Sequence, residues 1–228
     1  MGFDSNDRRT GCIVDRESSI SVGEVKLMDN PSPHSHEAVT DLANTIRACT
    51  ICTGLPLGPK PIFQFSRNSK ILIAGQAPGR LTHQKGIPFD DPSGVRLRNW
   101  LGVTSEQFHD PNLFAIVPMG FCFPGTGKSG DLPPRPECAD VWREKVLASL
   151  QKVKLTLVVG AYALDYHLGD LQKHTLTQTV AAWREYWPGI LPLPHPSPRN
   201  GYWLKKNPWF EDDVLHALRA KIRDLAMV

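Results

Sequence analysis

The chain has 228 residues, of which 41% are hydrophobic and 21% are charged, and its formal net charge is +3 at pH 7. This length allows one sizeable core and is too short for two catalytic domains, and no apolar run is long enough to cross a bilayer. The small positive charge would help the protein approach a polyanion, but it is common in other proteins and decides little. The first residues lack the features of a secretory signal, so we expect a cytoplasmic protein.

The N-terminal stretch, residues 1–35, is polar, is interrupted by Pro31 and Pro33, and shows neither helical nor strand periodicity. We predict a flexible or loosely packed arm there, followed by a single folded domain over residues 36–228. Cys12 lies in this arm and is expected to be a bystander.

Apolar patterns in the rest of the chain predict strands that alternate with helices. Leu42, Ile46 and Cys49 recur at helical spacing, which predicts a short helix before the first strand. Four continuous apolar runs predict strands covered on both faces, at residues 71–74, 114–119, 155–159 and 190–193. Further helical patterns comprise Leu97, Trp100 and Leu101; Trp142, Val146, Leu147 and Leu150, after Pro136; and Val214, Leu215, Leu218, Ile222 and Leu225. Asn207 is expected to cap the last helix, with Pro208 at its first position.

This alternation of strands and helices predicts an α/β fold, a three-layer α/β/α sandwich with a central four-stranded parallel sheet. In such sheets ligands bind beyond the carboxyl ends of the strands. The loops that begin at Gly75, Gly120, Gly160 and Pro194 are therefore the places where we expect the chemistry.

Two of these loops carry unusual sequences. G-Q-A-P-G (75–79) follows the first strand and precedes G-I-P-F-D-D-P-S-G (86–94), and H-P-S-P-R-N (195–200) follows the last strand. Ordinary turns would explain the glycines and prolines, but they would explain neither His195 nor Phe89, which follows the first motif at the expected spacing. From about Cys49 to the C-terminus, the order and separation of these motifs resemble the uracil-DNA glycosylase superfamily.

The resemblance implies an enzyme that flips uracil out of DNA and hydrolyses its N-glycosidic bond, leaving an abasic site as product. His195 would donate a hydrogen bond to the O2 atom of the departing base, and Phe89 would stack on the extruded base. The implied base-binding residues are Gly75, Gln76, Ala77, Pro78, Phe89, Gly120 and Phe121. The implied DNA contacts are Gly79, Ser197, Pro198, Arg199, which would wedge into the emptied stack, and Asn200. We expect a monomer that acts on DNA containing uracil or other deaminated bases.

One departure from the family pattern concerns the acid that positions the attacking water. Many relatives place a carboxylate second or third in the first motif, where this chain has Gln76 and Ala77. Gln76 can orient water through its amide, but it cannot take a proton at neutral pH. Asp90 and Asp91 are the nearest replacements, with a solvated turn as the alternative reading of both.

A second departure concerns recognition of the base. Relatives that read uracil strictly have an asparagine at the end of the second strand, whereas residues 117–122 read V-P-M-G-F-C here. Recognition would then depend on main-chain groups of residues 118–121 or on Gln76. We therefore expect a substrate range that extends beyond uracil.

Four cysteines have spacings typical of metal ligands. Cys49 and Cys52 form C-x2-C, and Cys122 and Cys138 are separated by fifteen residues. Sulfur ligands alone are compatible with structural zinc or with a 4Fe-4S cluster, and buried unligated thiols are a further alternative. The iron–sulfur members of the superfamily carry cysteines at all four of these places, so the resemblance favours a 4Fe-4S cluster over zinc.

The G-T-G-K-S sequence at 125–129 is similar to a phosphate-binding loop, but Cys122 replaces a required glycine. Pro133, Pro134 and Pro136 also prevent the helix that should follow. We expect Lys128 to contact the DNA backbone at most.

Three other functions compete with the glycosylase reading. A catalytically weak binder of abasic or single-stranded DNA is the main alternative, because the acid of the first motif is missing. An iron–sulfur redox protein would leave both proline-containing motifs unexplained. A zinc deaminase is excluded because the chain lacks the H-x-E motif that such enzymes pair with a P-C-x-x-C motif.

Overall fold

The structure is a computed structural model that describes residues 35–128 and 130–227. The predicted N-terminal arm, apart from Ser35, and Cys12 lie outside the described residues. The division between an arm and a folded domain at residue 36 therefore stays a prediction. No helix in the two described ranges is long and apolar enough to span a membrane.

Within the described ranges, six strands form two separate sheets. The strands are β1 (Ile71–Ala74), β2 (Phe114–Ile116), β3 (Thr126–Gly127), β4 (Gly130–Asp131), β5 (Leu155–Val159) and β6 (Ile190–Leu193). The central sheet has the order β2-β1-β5-β6, and its neighbouring strands are all parallel. Strands β3 and β4 pair as a small antiparallel hairpin, in which Thr126 is opposite Asp131. The predicted four-stranded parallel sheet is confirmed.

Three of the four central strands have the predicted bounds, whereas the second ends three residues early. Residues 114–119 were expected to form this strand, but β2 stops at Ile116. Pro118 has no backbone N–H, so it cannot continue a ladder of hydrogen bonds. The chain nevertheless stays beside the first motif, because the amides of Met119 and Gly120 donate to the carbonyl oxygens of Gly75 and Gln76 at 2.8 and 3.0 Å.

Ten α-helical segments surround the sheet. They are α1 (His36–Arg47), α2 (Arg80–Lys85), α3 (Pro92–Leu101), α4 (Ser105–Phe108), α5 (Pro136–Cys138), α6 (Glu144–Ser149), α7 (Ala161–Leu168), α8 (Leu176–Ala181), α9 (Gly201–Lys206) and α10 (His216–Met227) among the described residues. Wider π-helical turns join α5 to α6 and lead into α10. The expected cap at Asn207 is wrong, because the Asn207 side chain instead donates to the carbonyl of Trp203 and accepts from the indole of Trp209.

The sheet is covered on both faces, as the continuous apolar runs predict. Ile71 and Ile73 point to one face and pack in a cluster with the apolar sides of α3 and α10. Leu72 points to the other face and packs with residues of α1 and α6. This burial on two sides confirms the α/β/α sandwich and leaves the carboxyl edge of the sheet as the place where loops can form a cavity.

Candidate functional site

A cavity of about 460 Å³ opens at the carboxyl ends of the central strands. All five residues of the first motif, 75–79, line it. Phe89 and Asp91 line it from the following loop, and His195, Ser197 and Arg199 line it from the last motif. This volume lies within the range of small-molecule pockets. The fold therefore brings three separated stretches of sequence to one site.

His195 follows β6, and hydrogen bonds hold both its imidazole ring and its backbone carbonyl. The backbone amide of Ser197 donates to its Nδ1 atom at 3.1 Å, and the Asn200 side chain donates to its carbonyl oxygen at 2.7 Å. Because Nδ1 accepts a hydrogen bond, a neutral imidazole carries its proton on Nε2. Burial lowers the pKa of His195, and the charges of Asp91 and Asp131 oppose that shift. The ring is thus a neutral hydrogen-bond donor at pH 7.

Phe89 is held in a backbone conformation that few non-glycine residues adopt, with φ at +53°. Its carbonyl oxygen accepts a hydrogen bond from Arg98 at 3.2 Å. A β-carbon on Gly94 would lie 1.6 Å from that oxygen, so residue 94 has no room for a side chain. The ring lies against Gly75 and meets Phe108 edge-on, with 6.1 Å between the ring centroids. These contacts fix the aromatic ring in the cavity wall.

Asp91 lines the cavity, but it also caps a helix. Its Oδ1 atom accepts a hydrogen bond from the amide of Gly94 at 2.8 Å at the start of α3, where Pro92 takes the first position. Its Oδ2 atom lies 3.5 Å from the hydroxyl of Thr82. Asp91 is therefore not part of a solvated turn, which was the alternative reading; it caps a helix and faces the site.

Several predicted site residues do not reach the cavity lining. Asp90 pairs instead with Lys85 at the surface, with 3.1 Å between the carboxylate and the amine. The Phe121 side chain is 2% exposed and packs against Phe63 in the core, so its ring does not line the cavity. Gly120 is buried behind the first motif, where its amide bonds to Gln76. Pro198 and Lys128 are exposed, and Asn200 contributes by holding His195.

The hairpin β3–β4 forms a wall of the cavity that the sequence did not predict. Thr126, Gly130 and Asp131 line the cavity, and the Gln76 side chain donates to the carbonyl of Leu132 at 3.0 Å. The amide of Gln76, expected to orient water, therefore ties the first motif to this hairpin. In the sequence, the glycines of residues 125–130 indicated turns only, and Lys128 alone was assigned a contact.

The profile of the uracil DNA glycosylase superfamily matches residues 62–219, which is more than half of the chain. The chain belongs to the uracil-DNA glycosylase superfamily. This family consists of DNA-repair hydrolases that act on DNA containing uracil. A solved structure described as wild-type Pedobacter heparinus SMUG2 is also similar, with 15% sequence identity and a TM-score of 0.37. The similarity covers 80% of this chain and 97% of that one.

In this glycosylase fold, a buried arginine supports the loop after β2. Arg143 is 1% exposed and donates to the carbonyl oxygens of Val117 and Pro118 at 2.9 and 3.2 Å. It also donates to Nε2 of His167, whose pKa is lowered to about 3 by burial and by the arginine's charge. Because Pro118 lines the cavity, Arg143 holds its floor in place from behind.

The four predicted metal ligands lie close enough together for Cys49, Cys52 and Cys122 to act electrostatically on Cys138. Burial raises the pKa of Cys138 to about 12, and the other three cysteines add to this shift. N–H groups of Phe121 and Trp142 donate to the sulfurs of Cys138 and Cys49, each at 3.4 Å. This donor set fits a sulfur-bound metal or cluster chemically. Across residues 35–128 and 130–227, however, no group of three or more His, Cys, Asp or Glu side chains takes a metal-binding arrangement.

Proposed function

We propose that this chain removes uracil and other deaminated bases from DNA by hydrolysing the N-glycosidic bond, and that it leaves an abasic site. The observation that carries the proposal is that His195 and Phe89 line the same cavity, together with the whole first motif. A base within a duplex cannot enter such a cavity, so the nucleotide must be flipped out or supplied in a single strand. We expect the chain to act as a monomer without a second catalytic step on the abasic product.

His195 would supply the main stabilisation of the transition state. Cleavage of the glycosidic bond places negative charge on the departing base, largely on O2. A neutral imidazole with its proton on Nε2 can donate to that oxygen, and its Nδ1 is already occupied by the amide of Ser197. A donor that is fixed before the reaction is worth about 3 to 4 kcal/mol in comparable sites.

Phe89 would hold the base while this charge develops. Its ring is braced by Gly75 and Phe108, and the floor of the cavity is formed by the buried residues Ile62, Ile116 and Pro118. Stacking of a base on an aromatic side chain is worth about 1 to 3 kcal/mol and tolerates different bases.

The substrate range should be broad, because few side-chain amides are available to read the edge of the base. The Gln76 amide nitrogen donates to Leu132, and the stretch after β2 has no asparagine. Recognition then depends on main-chain groups near Pro118, which penalise a wrong base less than a matched side chain would. We expect cleavage of oligonucleotides that contain xanthine or hypoxanthine, and activity confined to uracil would contradict this.

The mouth of the cavity offers groups for the DNA backbone. Ser197 and Arg199 line it, and Arg96 fixes their loop by donating to the carbonyl of Ser197 at 2.7 Å. We propose that Ser197 and Arg199, with Gly79 at the start of α2, contact the phosphates next to the flipped nucleotide. Lys128 on the exposed hairpin turn would add a weaker contact.

We further propose that Cys49, Cys52, Cys122 and Cys138 hold a 4Fe-4S cluster. When bound, the cluster would link the segment after α1 to the segment that follows β2, and so brace loops near the site. Purified protein should then contain iron and acid-labile sulfide in equal amounts, and a Cys138→Ser variant should lose both. Recovery of zinc instead, or of no metal from protein purified without oxygen, would contradict the cluster.

The test of the proposed activity is a single-turnover assay on an end-labelled oligonucleotide with one uracil, followed by alkaline cleavage of abasic sites. We expect the native chain to give product and His195→Ala to be slower by about 10²- to 10³-fold. His174→Ala changes an exposed histidine away from the cavity and should keep the native rate. Equal rates in the native and His195→Ala proteins would contradict the assignment.

A catalytically weak binder of abasic or single-stranded DNA is the second candidate. The observation that favours it is that the first motif has no acid and that Asp91 uses Oδ1 to cap α3. This candidate predicts tight binding to abasic oligonucleotides without product formation from uracil, xanthine or hypoxanthine substrates.

A further inference from the structure

The hairpin β3–β4 brings a carboxylate into the cavity from outside the family motifs. Asp131 lines the cavity on the side of Gly79, and its Oδ2 atom lies 3.2 Å from the point where a β-carbon on Gly79 would be. Gly79 is two residues after Ala77, the place where many relatives have their acid. The carboxylate therefore stands beside the first motif in space, although it lies more than fifty residues later in the chain.

We propose that Asp131 is the group that positions and deprotonates the attacking water in this glycosylase. The inference rests on the proposed function and adds a catalytic residue to it. Asp91 is the alternative acid, but its Oδ1 atom caps α3 and its Oδ2 atom faces Thr82. The Oδ1 atom of Asp131 lies 3.4 Å from the hydroxyl of Thr126, and its Oδ2 atom is directed toward Gly79.

The exposure of Asp131 favours a role at the sugar. The floor consists of buried apolar residues, Ile62 and Ile116 among them, and suits the flat base. Asp131 and Arg199 both line the cavity and are exposed, and Arg199 lies beside the hairpin, so we place the sugar and its phosphates there when the base is inserted. A carboxylate there can reach a water molecule near C1′ and also stabilise the positive charge that develops on the sugar.

The hairpin holds Asp131 in place through a few specific contacts. Gln76 bonds to the carbonyl of Leu132, and the amide of Leu132 bonds to the carbonyl of Gly125 at 2.8 Å. A β-carbon on Gly130 would lie 3.2 Å from the guanidinium of Arg199, so a cationic side chain lies next to the hairpin. This positive charge reduces the repulsion between the carboxylate and an approaching phosphate. Asp131 is also close enough to His195 to oppose the lowering of its pKa.

The proposed step balances as a hydrolysis. The water oxygen forms a bond to C1′ while the bond from C1′ to the base nitrogen breaks, and the electron pair of that bond leaves with the base. Asp131 takes one proton from the water, and His195 stabilises the base anion by a hydrogen bond to O2. The base then takes a proton from solvent, and Asp131 releases its own proton to solvent.

The experiment compares Asp131→Asn with Asp91→Asn and with Asp170→Asn, which changes an exposed aspartate elsewhere. Single-turnover rates are measured on the uracil oligonucleotide, and affinity is measured separately with an oligonucleotide that contains a stable abasic-site analogue. Asp131→Asn should lower the rate by about 100-fold, whereas its affinity and melting temperature should stay close to native values. Asp170→Asn should match the native protein. Added formate should restore part of the rate of Asp131→Ala, since it supplies the missing carboxylate.

Three results would overturn the inference. A native rate in Asp131→Asn, with activity in the native chain, would show that another group activates the water and would leave the proposed function standing. Equal losses of rate and affinity, without rescue by formate, would assign Asp131 a structural role. Absence of activity in the native chain on every deaminated substrate would refute the proposed function, and this inference with it.

Discussion

The two sides of the cavity are built differently. The first and last motifs follow directly from β1 and β6, whose residues are almost fully buried, and Arg143 and Gly94 support the adjoining loops from the interior. The other side is the hairpin β3–β4, whose strands have two residues each and whose side chains at Thr126 and Asp131 are exposed. We expect the core-supported side to depend on global packing and the hairpin side to open locally.

The largest effect on the core-supported side should come from Gly94→Ala. The new β-carbon would lie 1.6 Å from the carbonyl oxygen of Phe89, so the backbone must move, at a cost of about 3 kcal/mol. Gly201→Ala is the matched control, because a β-carbon there would meet nothing within 4 Å. Urea unfolding should show a clear loss of stability for Gly94→Ala and almost none for Gly201→Ala. Similar stabilities would mean that the Phe89 loop is not constrained in this way.

A second test uses pH to weaken the hydrogen bond between Arg143 and His167, which lies behind the cavity floor at Pro118. His167 must be neutral to accept a hydrogen bond from Arg143, and its pKa is lowered to about 3 in the folded state against a usual value near 6.5. The unfolded chain therefore binds a proton first, and stability should fall as the pH decreases from 6.5 toward 5, by about 2 kcal/mol.

The variant His167→Gln separates this effect from other titrating groups. Glutamine keeps an acceptor for Arg143 but does not titrate, so thermal unfolding of the variant should depend less on pH over the same range. An unchanged pH dependence would show that His167 is not the group responsible.

The smallest effect should come from Gln76→Ala, which removes the bond to Leu132. Such a hydrogen bond contributes about 1 kcal/mol. We expect amide hydrogen exchange to quicken in residues 126–132, while the amides of β1 and β5 keep their protection. Equal changes in the hairpin and the central sheet would contradict the distinction between the two sides.

The same distinction explains what the sequence could predict. The strands at 71–74, 155–159 and 190–193 have continuous apolar runs, so they were located correctly, and the motifs that follow the first and the last of them reach the cavity. The second strand was predicted too long because apolarity continues through Pro118, although proline ends the ladder. The resemblance implied a base contact for Phe121, whereas its ring packs on Phe63 in the core.

The hairpin could not be predicted from local pattern. Strands of two residues show no periodicity, and the glycines around Asp131 indicated only turns. What places Asp131 is a set of contacts of its hairpin with residues far away in sequence. Asp131 lies beside Gly79, Gln76 donates to Leu132, and Arg199 lies next to Gly130. A carboxylate positioned by tertiary contacts leaves no motif to recognise.

The central claim is that Phe89 and His195 hold one flipped base between them. The most direct measurement is a crystal structure of the protein with an oligonucleotide that contains 2′-fluoro-2′-deoxyuridine, which resists cleavage. We predict that the uracil lies in the cavity, stacked on Phe89, with its O2 within hydrogen-bonding distance of His195 Nε2. A uracil that remains stacked in the DNA, or that binds outside this cavity, would contradict the account.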